Sequence, residues 1–129
     1  MTIQRFDTGP RMSKAVVNGN TVYLAGIVAD SPKSKSVAEQ TRSILSQIDN
    51  FLAIAGTDKT KLLSANIWIT DMTHFGEMNT VWDAWVSPGN TPARATVEAK
   101  LAHCYSFERR EWPDGRPWSD RTSQAVTLA

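Results

Sequence analysis

The sequence predicts an α+β fold, a mixed β-sheet with two helices packed on one of its faces. Three features carry that expectation. Asn18-Gly19-Asn20 separates two apolar runs as a tight hairpin turn does, two later stretches repeat apolar residues at helical spacing, and a segment alternating with a period of two follows each of them. Two strand–helix–strand crossovers beside a hairpin put both helices on one side of the sheet, because each helix seam needs an apolar surface to cover. The other face then needs cover of its own, which a small layered domain finds by assembling with copies of itself. With 129 residues and 41% hydrophobic content the chain is one domain, long enough to bury a core without metal or disulfide. In this reading residues 1–111 form the domain and 112–129 an irregular C-terminal tail.

Ile3 to Asp7 alternates weakly and Gly9-Pro10 stops it, so the chain opens with a short strand and a turn. The hairpin pairs Ala15-Val16-Val17 with Thr21-Val22-Tyr23-Leu24-Ala25, Asn-Gly supplying the positive φ values of its turn. Gly26 then marks a bulge, a close approach of backbone to ligand, or a plain strand end. After a loop from Asp30 to Lys35, Ser36-Val37-Ala38-Glu39 fits a capping box. Apolar residues recur at helical spacing from Val37 through Ile44, Leu45, Ile48 and Leu52, and Gly56 is placed to end that helix. From Lys61 to Thr70 a strand turns Leu63, Ala65, Ile67 and Ile69 to one face and Ser64, Asn66 and Trp68 to the other. Thr73 is positioned to cap a second helix whose seam, Phe75, Met78, Trp82 and Trp85, reads as core. Ser87-Pro88-Gly89-Asn90 breaks it. From Arg109 to Trp118 neither period is present and Pro and Gly interrupt repeatedly, which is why the tail is expected to be irregular.

The stretch Thr91 to Leu101 organises the functional reading. As a strand it separates Ala95, Val97, Ala99 and Leu101, expected to face the core, from Arg94, Thr96, Glu98 and Lys100, with Pro92 suited to the strand start. An arginine so placed can hold a carboxylate, since its planar fork of donors matches the anion bidentately and stays charged at any working pH. The structural alternative is an ion pair with an acid of its own chain such as Glu98.

Composition excludes several classes. A formal net charge of +1 and a pI of about 7.9 give no strong field for nucleic acid or an anionic membrane surface. The single cysteine, Cys104, allows no internal disulfide and fits a reducing compartment; with no signal-peptide-like start and no run approaching ~20 apolar residues, a cytoplasmic location is expected. His103 and Cys104 are neighbours whose side chains point to opposite faces of a strand, a poor nucleophile–base pair. His74 is the other histidine, so no spaced ligand set suggests a metal, and no phosphate-cradling glycine motif suggests a nucleotide; no cofactor is expected.

The run Asn90-Thr91-Pro92-Ala93-Arg94-Ala95-Thr96-Val97-Glu98-Ala99, with Met78-Asn79, the early Gly9-Pro10 and Gly26, resembles the signature of the YjgF/RidA family of reactive-intermediate deaminases, formerly labelled endoribonucleases. The resemblance covers about residues 7–108 and stops at the tail. It implies the chorismate-mutase-like YjgF fold, a homotrimer whose three sheets form a central barrel, and hydrolysis of 2-aminoacrylate-like enamine and imine acids to 2-keto acids and ammonia. Carried over residue by residue, it has Arg94 holding the substrate carboxylate, Glu108 assisting water, and Asn79, Thr96 and backbone near Gly26 contributing to the pocket. The chain departs from the best-known members at Met12, in Arg11-Met12-Ser13 where they carry a tyrosine, and at Ala25, where they carry a serine. Two hydroxyls are missing, which leaves carboxylate binding in place and alters the expected substrate range.

Two other functions fit parts of the sequence. A non-catalytic trimer that binds small carboxylates, or a chaperone-like protein, would keep Arg94 without needing a water-activating acid. RNA binding or cleavage would use Arg109, Arg110, Arg116 and Arg121 with Trp112 and Trp118, but Glu111, Asp114 and Asp120 dilute that charge and nucleic acid is not the expected partner.

Overall fold

The computed structural model describes residues 2–30 and 35–101, together with the backbone of residues 124–128. Strands β1 (Ile3–Thr8), β2 (Ser13–Asn18), β3 (Thr21–Leu24) and β4 (Ile27–Val28) precede helix α1 (Val37–Ile54). Strand β5 (Ser64–Ile69), helix α2 (Phe75–Trp85), β6 (Ala93–Glu98) and β7 (Gln124–Leu128) complete the order. The α+β class and the two helices are as the sequence predicts. Pairing falls into two sets, β1-β2-β3 and β4-β7-β5-β6, with Ala25 and Gly26 between β3 and β4; the Ala25 N–H still donates to the Lys14 carbonyl of β2 at 2.9 Å. In the second set β5 and β6 run parallel while β7 is antiparallel to both β4 and β5.

Local chemistry accounts for most boundaries. The hairpin closes on Asn18 opposite Thr21, and only Gly19, with φ of 61°, takes positive φ; Gly19-Asn20 rather than Asn18-Gly19 is the central pair, the arrangement of a turn with Gly first. Ser36 caps α1 reciprocally with Glu39, as a capping box should. At the other end the Gly56 N–H donates to the Ala53 carbonyl and the Thr57 N–H to the Leu52 carbonyl, a Schellman closure that needs the φ of 82° at Gly56. Ahead of α2 the cap belongs to Asp71, whose side chain accepts from the Thr73 N–H at 2.9 Å and closes a 3-10 turn over Met72–His74. Thr73, expected to cap the helix, is therefore the capped residue.

The core lies between the sheets and the two helices. Ile44, Leu45 and Ile48 of α1, Ala65, Ile67 and Ile69 of β5, Met78 and Trp82 of α2, and Leu24 and Ile27 form one buried cluster. Burial of this size, at about 25 cal/mol per Å² of apolar surface, is the main stabilising force. Among the described residues no helix is long and apolar enough to cross a membrane.

Two sequence expectations are corrected. Gln124–Leu128, expected to be part of an irregular tail, forms β7 and hydrogen-bonds on both sides, to β4 and to β5. The face assignment of β6 is reversed. Parallel register sets Arg94 beside Ala65, Thr96 beside Ile67 and Glu98 beside Ile69, and those β5 residues are the ones the helices bury. Residues paired in register share a face, so Arg94 and Thr96 lie under α2, whereas Ala95 and Val97 occupy the face without helices and are exposed.

Candidate functional site

Helix α2 presents Phe75, Asn79 and Trp82 at steps of four and three, hence along one stripe. That stripe lies over the edge strand β6. The Arg94 guanidinium carbon sits 5.2 Å from the centre of the Trp82 ring and 5.9 Å from that of Phe75, within cation–π range of both. Trp82 is buried, and its ring packs at 5.4 Å and a tilt of 51° against Trp85. Trp85 is held in turn: its indole N–H donates to Asp49 Oδ2 of α1 at 2.9 Å, and Lys59 Nζ lies 5.2 Å over its ring.

Arg94 has no carboxylate partner among the described residues. The ion pair present among them joins His74 Nδ1 to Glu77 Oε2 at 3.1 Å. Glu98, the structural alternative partner, instead accepts a hydrogen bond from the Met72 N–H at 3.2 Å. Two more polar atoms at this corner are buried without a hydrogen-bond partner among the described residues, Asn79 Oδ1 on the helix and Thr96 Oγ1 two residues along β6. A charged fork and two unpaired acceptors are what a small polar ligand with its own donors and a carboxylate would satisfy.

Glu77 fixes the approach of α2. Its carboxylate accepts from the Ala38 N–H at 3.0 Å and from His74, tying the start of α2 to the start of α1. Those bonds, the Ala38 amide first and His74 second, hold its pKa below the usual glutamate value.

The structure thus brings together Arg94, Asn79 and Thr96 of the residues expected to act. Ala25 and Gly26 lie apart from them. Met12 is exposed in the β1–β2 turn, its carbonyl accepting from the Gly9 N–H at 2.8 Å. Ala25 is half-buried and Gly26 exposed, both just before β4. Since β7 and β5 stand between β4 and β6, that side is on the order of 14 Å from Arg94 across the sheet. Glu108, His103 and Cys104 lie outside the described residues. No cluster of His, Cys, Asp or Glu suited to a metal occurs among the described residues. Phe75 and Trp82, read from sequence only as core, also form the seat of Arg94. The available signal was Asn79, a polar residue set inside an apolar helical stripe.

Fold and site define a class of small α+β proteins with an arginine seated on aromatic rings at the edge of a helix-covered sheet. The family model described as Endoribonuclease L-PSP matches residues 2–108, and the chain belongs to this family, the YjgF/RidA group that the Pro-Ala-Arg run resembles. A RutC family protein of Haemophilus ducreyi is 41% identical over 101 residues, 78% of this chain and 86% of that protein. The RutC family protein YoaB of Escherichia coli is also 41% identical over 101 residues, covering 78% of this chain and 87% of the other. The 2-iminobutanoate/2-iminopropanoate deaminase of Rattus norvegicus is 30% identical over 91 residues, 67% of this chain and 66% of its own length. Among solved structures, a YjgF family member from Neisseria meningitidis superposes with a TM-score of 0.78 at 43% identity, covering 100% of this chain and 95% of that one.

Proposed function

We propose that the protein hydrolyses reactive 2-enamine and 2-imine acids to 2-keto acids and ammonia. The observation that carries this reading is Arg94: a half-buried guanidinium seated on two rings, with no carboxylate partner among the described residues, is ready to take a ligand carboxylate. The rat relative named as an imine deaminase gives the chemical class. Water adds to the imine carbon, the C–N bond of the resulting carbinolamine breaks, and ammonia leaves with a proton as the C=O bond forms. Because the imine is intrinsically reactive, positioning and electrostatics suffice without a strong nucleophile. Arg94 orients the carboxylate, Asn79 Oδ1 and Thr96 Oγ1 are available to accept from the substrate or the attacking water, and Glu108 takes the water-assisting role by resemblance.

The assembly proposed with it is a homotrimer. Ala95 and Val97 leave apolar surface on the face without helices, and Ala25 and Gly26, beside β4, lie too far from Arg94 within one chain to share its ligand. A neighbouring copy would supply that second side and cover the apolar face.

The test is a coupled assay in which a threonine dehydratase generates 2-iminobutanoate and its loss is followed with and without this protein. Acceleration is expected with wild type. Arg94→Lys keeps the charge but loses the fork, and one lost charge-assisted hydrogen bond of about 1.5–3 kcal/mol predicts roughly a ten- to hundredfold fall in turnover or product affinity with the melting temperature nearly unchanged. No acceleration by wild type, or an Arg94→Lys variant that melts early yet binds 2-oxobutanoate normally, would sink the reading.

A further inference from the structure

We infer that Trp82, assisted by Phe75, is a positioning residue that sets the plane of the Arg94 guanidinium and thereby the affinity of the site for a planar carboxylate; this rests on the reading of Arg94 given above. Partners of an arginine differ in what they consume. A carboxylate would occupy the edge of the fork and cancel its charge, whereas an aromatic ring engages the face and leaves the in-plane N–H donors and the full charge available. Two rings lie within cation–π range of the Arg94 guanidinium carbon, at 5.2 Å and 5.9 Å, and no carboxylate pairs with it among the described residues. Such a seat restrains the guanidinium plane before any ligand arrives, so the ordering that would otherwise accompany binding is already done.

The seat is itself braced. Trp82 packs on Trp85, and Trp85 is pinned by Asp49 from one side and approached by Lys59. The indole under Arg94 therefore has a defined position set from α1, the opposite helix. Asn79, between Phe75 and Trp82 on the same stripe, has its side-chain oxygen buried without a hydrogen-bond partner among the described residues. A ring-to-aliphatic change at position 82 removes the π face while keeping an apolar filler, which separates the electronic role from burial.

The experiment compares wild type, Trp82→Leu, Trp82→Tyr and Phe75→Leu in titrations with 2-oxobutanoate by calorimetry and in the imine assay, with melting curves on each. Trp82→Leu is expected to weaken 2-oxobutanoate binding and raise KM about threefold to thirtyfold with kcat little changed, since a carboxylate clamp acts equally in ground and transition states. Trp82→Tyr, which restores a π face, is expected to recover most of that loss despite its smaller volume. Phe75 is half-buried, so Phe75→Leu keeps the question answerable if the position 82 variants do not fold; a smaller loss in the same direction is expected. Equal affinity for wild type and the folded leucine variants, or a loss that tyrosine does not recover, overturns the inference while leaving the carboxylate reading intact. A wild type that neither binds 2-oxobutanoate nor hydrolyses the imine overturns that reading, and the inference with it.

Discussion

The two faces of β6 solve opposite problems within six residues. Beneath α2, Arg94 and Thr96 put a cation and a hydroxyl on the side where apolar contacts dominate, and two rings lie within cation–π range of the cation. On the other side Ala95 and Val97 present methyl groups that no helix covers among the described residues, Val97 being 48% exposed. The polar residues are covered and the apolar ones are bare. A single chain therefore looks inverted at this strand, and that inversion is what the proposals of a carboxylate site on the covered face and of contact between copies on the bare face rest on.

The sharpest break of that comparison is a matched pair of truncations. Met78, wholly buried on α2, should cost about 2–5 kcal/mol when changed to Ala, because the cavity cannot fully collapse. Val97→Ala, on the bare face, should change the stability of the isolated subunit by less than about 0.5 kcal/mol. Denaturant melts of both variants at low protein concentration check this, and a Val97 loss as large as that of Met78 would mean the bare face is packed within one chain.

The next largest effect is on assembly. A charge at position 97 would be stranded in any apolar contact between copies, so Val97→Asp should reduce the mass seen by light scattering at micromolar concentration from a trimer to a single subunit, with secondary structure retained. A wild-type mass of one subunit would end the trimer proposal outright.

The smallest effect concerns how α2 is held over Arg94. The bonds from Ala38 and His74 lower the pKa of Glu77 in the folded chain relative to the unfolded one. A depressed carboxylate adds stability at pH above its unfolded value, and the addition fades as pH falls through the lower folded value. Since the Glu77 side chain is 37% exposed, screening keeps the contribution under about 1 kcal/mol. Wild type should exceed Glu77→Gln in stability near neutral pH, and the gap should close on acidification below about pH 4. A gap that widens as the pH drops would show that Glu77 acts in its protonated form.

The sequence by itself determined what depends on local spacing. The capping box at Ser36 and Glu39, the helix end at Gly56, the buried alternation of Ala65, Ile67 and Ile69 and the seam of α2 all rest on contacts within a few residues, and each is where its pattern puts it. Arg94, Thr96 and Asn79 were singled out through the resemblance of the Pro-Ala-Arg run and of Met78-Asn79 to the family. Tertiary structure decided the rest. A period of two divides a strand into two faces without saying which one meets the helices, and for β6 the parallel register with β5 made that choice. Gln124–Leu128 carries no distinctive pattern of its own, yet it takes a strand position because β4 and β5 each have an open ladder to fill. That Arg94 would rest on Trp82 and Phe75 rather than on Glu98 could not be read from spacing either, because long-range packing places α2 over β6 and brings its rings to the cation while Glu98 accepts from the Met72 N–H.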